Sequence, residues 1–438
     1  MLLAPVYSFA FSSFAQSAGS LPSDRLTILH ADANEARRST FAVGHGCQVS
    51  VVTAALPDIS IDDLQLGRQG PLCSKQVPVP LSRVSVECVS VDASASTASE
   101  TRHIHRREVQ SISCVGNNGD RSVIASVDGC HKTVITVVDT RVEDEVEGDD
   151  SKPQQVSKKR RTQPLRTVVR DATVTDFGPA RVCSMRDQNR LLTASTLSRI
   201  VTQVDVETHR EIMCLHTAAS AHAVTGLPSV SPDAFAVCEG NGVVSLWDVR
   251  SNRPQQRARV AMTPLYSIAS VPSGIAMGGQ SSVATFDFAC AGADKVLYVM
   301  DARRLVTVSQ ARLGAKFDIV GLHFSPSNAV PVDINMQPLD DKDVFPLAYT
   351  VGMDSEIMCQ RVGAKKKVRR QFGGCLRGDS RWVGMDVCSV KNKDRVVAIT
   401  ASGRVSVIDE AQQLAVRAPE QRDESTREAL SHVRTCYQ

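Results

Sequence analysis

Few residues in this chain have a type and spacing that could do chemistry. The motifs GxxxxGK[ST], GxGxxG after a strand, HExxH and GxSxG, which serve phosphate, dinucleotide, zinc-protease and serine-hydrolase chemistry, do not occur. No pair among the 13 cysteines has CxxC spacing, and His103-x-His105 has no cysteine close by. The sequence therefore predicts no catalytic residue, no metal site and no cofactor, and we expect that the protein is not an enzyme.

The remaining histidines and cysteines suit structural roles. His323 lies among apolar residues of a predicted strand, and a hydrogen-bonded structural histidine is the expected reading. Many cysteines lie in similar apolar patterns, for example Cys114, Cys238 and Cys359. Such patterns are typical of buried, reduced thiols, which favours a cytoplasmic and/or nuclear protein.

Composition further narrows the class of protein to which this chain could belong. The chain has 438 residues, of which 42% are hydrophobic and 22% charged, and its net charge is only +3. No large field draws the whole molecule to nucleic acid or to acidic lipid. No apolar run approaches the roughly 18 residues of a transmembrane helix. The apolar start, residues 1–15, lacks a basic segment before it, so it predicts a strand that joins the fold rather than a signal peptide.

The positioning elements are clearest between His222 and Pro254. Three short apolar runs, at 224–227, 235–238 and 243–247, are separated by turn residues. Runs of this length bounded by Gly, Pro, Asn and Ser predict strands of a meander. The Gly240-Asn241-Gly242 turn supplies residues that tolerate the positive φ angles of a tight hairpin.

The third run ends in Trp247-Asp248, followed by Val-Arg-Ser-Asn. This ending resembles the end of a blade in the WD-repeat family. The resemblance implies a β-propeller whose blades each have four antiparallel strands. In that family the Asp after the third strand contributes to hydrogen bonding in the blade and its turn, and Asp248 would inherit this role.

Six degenerate copies of the pattern predict an all-β fold, a seven-bladed β-propeller of four-stranded antiparallel blades with disordered insertions. The predicted strands of the copies are 26–29, 41–44 and 49–52; 109–115, 123–127 and 134–138; 182–185, 191–194 and 200–204; 265–271, 275–278 and 296–300; 320–324, 347–351 and 356–359; and 383–387, 396–399 and 405–408. Closing aspartates of the kind seen at Asp248 recur at Asp139, Asp205, Asp301 and Asp409, and a structural role is predicted for all of them.

The predicted domain is one propeller over residues 24–410. Residues 1–23 form an N-terminal segment that joins it, and 411–438 form a polar tail with a possible short helix. The acidic and basic blocks of 141–170 predict a disordered loop. Within 58–108, one strand pair is predicted at 77–81 and 84–91, the first of them at an edge because of its prolines. The apolar stretch 281–291 has no assigned place.

Two basic clusters could carry recognition. Lys158, Lys159, Arg160 and Arg161 form an exposed tetrad that fits a nuclear localisation signal, with a merely solvated loop as the alternative. The second cluster, 365–370, could contact nucleic acid or an acidic protein. Few aromatic residues lie near it, which argues against base stacking and favours a protein-facing or solvent-facing loop.

Together these features predict a non-catalytic scaffold or adaptor that binds other proteins through propeller rims and loops. A narrower resemblance, carried by Tyr7-x-Phe9-x-Phe11, 41–44 and 233–238, is to a subgroup of WD-repeat proteins. That resemblance implies a link to RNA-processing endonuclease assembly, microtubules and cell division. Two alternatives stay open: a propeller hydrolase with carboxylates or a metal in the central channel, and a nucleic-acid-associated nuclear factor that uses the basic clusters.

Overall fold

The computed structural model is a closed ring of seven β-sheets. It describes residues 6–11, 24–30, 38–57, 79–81, 83–89, 104–105, 107–117, 121–130, 132–139, 168–170, 180–185, 190–208, 210–272, 286–312, 315–326, 347–362, 375–409 and 411. Within these residues, no helix has the length and apolar character required to cross a membrane. The prediction of an all-β, seven-bladed propeller is confirmed.

Each blade is an antiparallel sheet that runs from an inner first strand to an outer fourth strand. Blades one to three consist of β2 (Leu26–His30), β3 (Arg38–His45), β4 (Gln48–Ala55) and β6 (Arg83–Cys88); β7 (Val109–Asn117), β8 (Arg121–Asp128), β9 (Thr133–Asp139) and β10 (Val168–Arg170); and β11 (Ala180–Ser184), β12 (Arg190–Ser195), β13 (Ile200–Asp205) and β14 (Glu211–His216).

Blades four to six have the same order. They consist of β15 (Ala221–Gly226), β16 (Ala234–Glu239), β17 (Val243–Asp248) and β18 (Gln256–Arg259); β19 (Leu265–Ser270), β20 (Phe288–Gly292), β21 (Val296–Asp301) and β22 (Val306–Arg312); and β23 (Ile319–Phe324), β24 (Leu347–Gly352), β25 (Glu356–Arg361) and β26 (Cys375–Arg377).

Blade seven joins the two ends of the chain. Its first three strands are β27 (Trp382–Val390), β28 (Lys393–Thr400) and β29 (Arg404–Ile408), and its fourth is the N-terminal strand β1 (Val6–Ala10). β1 pairs with β29 along all five of its residues. The short strand β5 (Val79–Pro80) adds in parallel to the outer side of β1. The ring is therefore closed by hydrogen bonds between the first and last described strands, and β1 covers the outer edge of β29.

Seven apolar clusters hold the ring, one at each junction between neighbouring blades. At the junction of blades three and four, Phe235 and Trp247 stack across strands β16 and β17 with their ring centroids 6.2 Å apart. Trp247 is 2% exposed, and its indole N–H donates to Ser245 Oγ over 2.9 Å. The apolar faces of each sheet are therefore buried by both neighbours, which an isolated blade could not achieve.

Turn chemistry explains why blade four has the most recognisable sequence. Gly242 has φ of +77°, in the left-handed region that favours glycine. A Cβ at this position would lie 2.1 Å from Ala261 O, so any side chain would collide with the connection to the next blade. Glycine is therefore required at position 242 both by its dihedral angle and by close backbone packing.

The strand assignment predicted for blade five was wrong. The second strand is Phe288–Gly292, from the stretch that had no assigned place, whereas 275–278 lies outside the described residues. Both stretches are short apolar runs, but in the sequence three residues separate Phe288–Gly292 from Val296, whereas 17 residues separate 275–278 from it. A short hairpin connection is the usual link between neighbouring strands, and here it decided the pairing.

The pair predicted at 77–81 and 84–91 does not form either. β5 lies on the edge of blade seven, and β6 is the outer strand of blade one, paired with β4. Pro80 cannot donate to a ladder, which is compatible with the outermost position of β5. Residues 168–170, which end the predicted loop 141–170, form β10 and pair with β9. The rest of that loop lies outside the described residues.

Candidate functional site

The central channel is lined by the seven first strands, which contact one another in the ring order β2, β7, β11, β15, β19, β23 and β27. Ionisable side chains on these strands are the natural place to look for chemistry in a propeller. Arg181, His222, His323 and Asp386 lie on four of them, and Asp24 lies just before β2. The sequence had not singled out Arg181, Asp24 or Asp386.

Arg181 reaches across the channel from blade three. Its Nη2 donates to Tyr266 O in blade five and to Val320 O in blade six, both over 3.0 Å. Its Nη1 forms an ion pair with Asp24, and its side chain is 8% exposed. Burial lowers the pKa of Arg181 to about 10, so the guanidinium remains charged at neutral pH. One buried cation thus connects blades that are not neighbours.

Asp386 organises the opposite side of the channel. Its Oδ2 accepts hydrogen bonds from the Thr27 hydroxyl over 3.1 Å and from Ile28 N over 2.8 Å. His323 Nδ1 lies 3.6 Å from Asp386 Oδ1. Burial lowers the pKa of His323, although Asp386 opposes this effect, so the imidazole is neutral at neutral pH. The predicted structural role of His323 stays a prediction, but the carboxylate beside it is a physical reason for it.

His222 is a further histidine on a channel-lining strand. Its ring meets that of Tyr266 edge-on, with centroids 5.2 Å apart. Burial, with a further contribution from Arg181, lowers the pKa of His222 to about 4. A histidine that is neutral far below pH 7 cannot act as an acid under ordinary conditions. Among the described residues, no group of three or more His, Cys, Asp or Glu side chains could hold a metal ion.

A second cluster, in blade two, has the composition of a serine-hydrolase triad. His105 Nε2 and Ser126 Oγ share a hydrogen bond of 2.8 Å, and His105 Nδ1 lies 3.4 Å from Asp128 Oδ2. The three residues are only 2%, 1% and 0% exposed. The Ser126 hydroxyl also donates to Val134 O over 3.4 Å. A nucleophile must reach its substrate, so this buried arrangement fits a brace inside the blade and not an acylation site.

Asp128 is the centre of that brace. Its Oδ1 accepts hydrogen bonds from Cys130 N and Lys132 N over 2.9 and 3.0 Å, which fixes the turn between β8 and β9. Burial alone would raise the pKa of Asp128, but the neighbouring His105 and the amides of Cys130 and Lys132 lower it. The carboxylate is therefore held ionised inside the blade.

Asp128→Ala should lower the free energy of unfolding by about 2–4 kcal/mol, because two turn amides lose their buried acceptor and His105 loses the neighbouring carboxylate. Ser126→Ala should cost about 1 kcal/mol. Denaturant unfolding measures both changes.

A fluorophosphonate reagent should not label Ser126 in the native protein, and labelling that is lost in Ser126→Ala would show that the cluster is a reactive site.

Three of the closing aspartates stabilise the turns between the third and fourth strands of their blades. Oδ1 of Asp205, Asp248 and Asp301 accepts the amide two residues on, over 2.8–2.9 Å, from Glu207, Arg250 and Arg303 respectively. This is an Asx turn, in which the side chain replaces a backbone acceptor.

Asp248 and Asp409 make additional contacts. The Arg250 side chain donates to Asp248 over 2.6 and 2.9 Å, and these bonds lower the pKa of Asp248 to about 2. Asp409 instead accepts from the buried Arg395 over 3.0 and 3.1 Å. Arg395 also donates to Ser39 Oγ over 3.0 Å, which ties blade seven to blade one. Asp139 ends β9, but its side chain lies outside the description, as do Lys158, Lys159, Arg160, Arg161 and the cluster 365–370.

One face of the ring carries exposed apolar side chains. Because strands alternate in direction, the turns between second and third strands lie on the same side as the connections between blades. We call this side the upper face. Among the described residues of this face, three large apolar side chains are exposed, all in blades three to six: Leu197, Met262 and Phe317 are 57%, 85% and 56% exposed.

Hydrogen bonds join the connections that carry Met262 and Phe317 to the neighbouring turns of blades four and five. Gly240 N donates to Ser220 O, and Ala261 N donates to Gly242 O. Further along, Ala293 N donates to Pro264 O, and the Lys295 side chain donates to Lys316 O over 2.6 Å. Each turn of blades four and five is thus fixed to the connection beside it. The exposed residues are presented by stiff loops.

Comparison with models of known protein families gives no match, and no curated protein matches the sequence. The function must therefore be argued from the geometry of this chain.

Proposed function

We propose that this protein is a non-catalytic scaffold or adaptor that binds other proteins through its upper face, as part of a multi-subunit assembly. The observation that carries the proposal is the exposure of Met262 and Phe317 on neighbouring, well-anchored loops of that face. Large apolar side chains held rigidly in solvent are typical of protein interaction sites.

Basic side chains accompany the apolar ones. Arg199 and Lys295 occupy the last turn position before the third strands of blades three and five, with φ of 55° and 62°. Blades four and seven place Gly242 and Gly403 at the equivalent position. A non-glycine residue in this left-handed region costs about 1 kcal/mol. Both side chains add positive charge beside the exposed apolar groups, and we infer that the partner surface is apolar and acidic.

The buried polar clusters support a structural reading of the channel. Arg181, Asp24 and Asp386 each form hydrogen bonds or an ion pair with backbone or side-chain groups of other blades. The triad-like cluster of blade two is buried. The alternative, a hydrolase with a channel site, is favoured only by the His323–Asp386 pair. Turnover that disappears in His323→Gln would support that alternative.

The WD-repeat assignment belongs to this proposal. The narrower resemblance is to WD repeat-containing protein 73, and on that basis we propose a role linked to RNA-processing endonuclease assembly or cell division.

A cytoplasmic and nuclear distribution, with Lys158–Arg161 as the import signal, is part of the same proposal. Imaging a fluorescent fusion with and without these four basic residues tests it. A nucleic-acid-associated role would show as binding whose affinity falls steeply with salt.

The upper-face proposal predicts the outcome of a paired co-purification. The variant Met262→Asp/Phe317→Asp should lose its co-purifying proteins about tenfold, because two exposed apolar anchors become charged. The control Val86→Asp/Ile212→Asp changes two outer-strand residues that are 45% and 49% exposed and should retain the same proteins. Quantitative mass spectrometry of tagged full-length chains measures both. Equal retention by the two variants would refute the upper face as the binding surface.

A further inference from the structure

A second surface, separate from the upper face, lies on the outer edges of blades four and five. The segments 249–259 and 302–312 contain seven arginines and no aspartate or glutamate. This concentration is unusual in a chain whose net charge is only +3. Each segment includes the outer strand of its blade, β18 or β22, and the turn that leads into it.

The two segments are in contact. The Gln256 side chain on β18 donates to Arg303 O over 3.4 Å, so the turn of blade five lies against the outer strand of blade four. Leu305 and Ala258 belong to the same apolar cluster between these blades. The turns that carry Arg253, Arg303 and Arg304 therefore lie on one side of blades four and five. We call these three arginines, together with β22, the arginine edge.

Two of the arginines in these segments form ion pairs within the fold. Arg250 pairs with Asp248, and Arg257 pairs with Glu239. The exposed side chains of Arg253, Arg303 and Arg304 make no ion pair within the described residues. Three guanidinium groups on adjacent turns thus remain available for carboxylates, which they bind in a bidentate manner.

Apolar groups lie beside these cations. On β22, Val306 and Val308 are 47% and 36% exposed, and within the described residues this strand pairs only with β21. An exposed edge strand with valines presents both unpaired backbone groups and apolar contacts. Exposed aromatic side chains, on which nucleotide bases would stack, do not occur on the described residues of this edge.

We propose that the arginine edge binds an extended acidic peptide segment of a partner protein. Carboxylates of the segment pair with Arg253, Arg303 and Arg304, and its apolar side chains pack on Val306 and Val308 along β22. Charge complementarity selects the acidic segment, and the edge strand selects its extended conformation. This site is independent of the upper face, so either proposal can fail alone.

Fluorescence anisotropy with the full-length chain tests the proposal. The ligand is a fluorescein-labelled eight-residue peptide of alternating valine and glutamate, and the comparison peptide has lysine in place of glutamate. We expect binding of the glutamate peptide only. Arg303→Glu/Arg304→Glu should weaken it at least about tenfold, because two charge pairs are reversed. Val306→Ser/Val308→Ser should weaken it about threefold through lost apolar contact.

The control variant, Arg83→Glu/Arg121→Glu, makes the same charge change at two exposed arginines of blades one and two, outside both proposed surfaces, and should bind the peptide as the wild type does. Equal weakening by the control would mean that the peptide senses only overall charge, and the proposal would fail. Absence of binding to the wild-type chain would also overturn it. If a single-stranded d(T)20 oligonucleotide displaces the peptide and needs the same two arginines, the surface recognises polyanions in general, and the peptide assignment is wrong.

Discussion

Replacing Arg181 by methionine is expected to lower the free energy of unfolding by about 3–5 kcal/mol, the range for breaking a buried charge pair. The variant leaves Tyr266 O and Val320 O without their donor and Asp24 without its cation. Methionine fills most of the volume but donates no hydrogen bond. Denaturant unfolding followed by circular dichroism measures the change as a lower midpoint.

Two further variants separate charge from geometry at this position. Arg181→Lys keeps the cation but cannot reach two carbonyls and a carboxylate together, so an intermediate loss is expected. Arg190→Met removes a guanidinium that lies 3.0 Å from Asp233 and is 35% exposed. Exposed pairs contribute about 0–1 kcal/mol, so this control should change little. If Arg181→Met costs no more than Arg190→Met, Arg181 does not hold the ring together.

Deleting residues 1–11 should have an effect of similar or larger size. The deletion removes the fourth strand of blade seven, and with it the buried side chains of Val6, Tyr7 and Phe11. Burial of these three side chains contributes roughly 5 kcal/mol or more. The exposed edge of β29 then becomes a template for pairing with other chains. We expect a lower melting temperature and soluble oligomers, measured by calorimetry and light scattering.

Addition of the missing strand in trans provides the control for this deletion. A synthetic peptide of residues 1–15 should restore part of the stability by pairing with β29, as donor strands do in other sheets. The same peptide with Tyr7→Asp should not, because Tyr7 is 5% exposed. A deleted chain that melts like the wild type and stays monomeric would show that β1 does not close the ring.

Most of the first three strands of each blade could be predicted from sequence, whereas most of the fourth strands could not. Strands inside the sheets are buried and appear as apolar runs, as in the stretch 235–238. The outer strand β18 reads Gln-Arg-Ala-Arg, because it is half in solvent and has little apolar pattern. In blade five, two apolar runs competed for one position, and only the tight turn after Phe288–Gly292 distinguishes them.

The polar contacts in the channel could not be predicted either, but for a different reason. Arg181 does give a local signal, since it is a charged residue between apolar neighbours in a strand. Its partners, however, lie 85 and 139 residues further along the chain. Only ring closure brings them within reach. The triad-like cluster of blade two is similar, because sequence gives the residue types of His105, Ser126 and Asp128 but not their burial.

Hydrogen–deuterium exchange of the full-length chain, alone and in the complex recovered through its own tag, tests the central claim most directly. The account predicts that partner binding slows exchange in the upper-face loops 240–242, 260–264, 293–295 and 315–318, and leaves the channel strands unchanged. Slowed exchange confined to the lower face of the ring or to the first strands around Arg181 would contradict a scaffold that binds through its upper face.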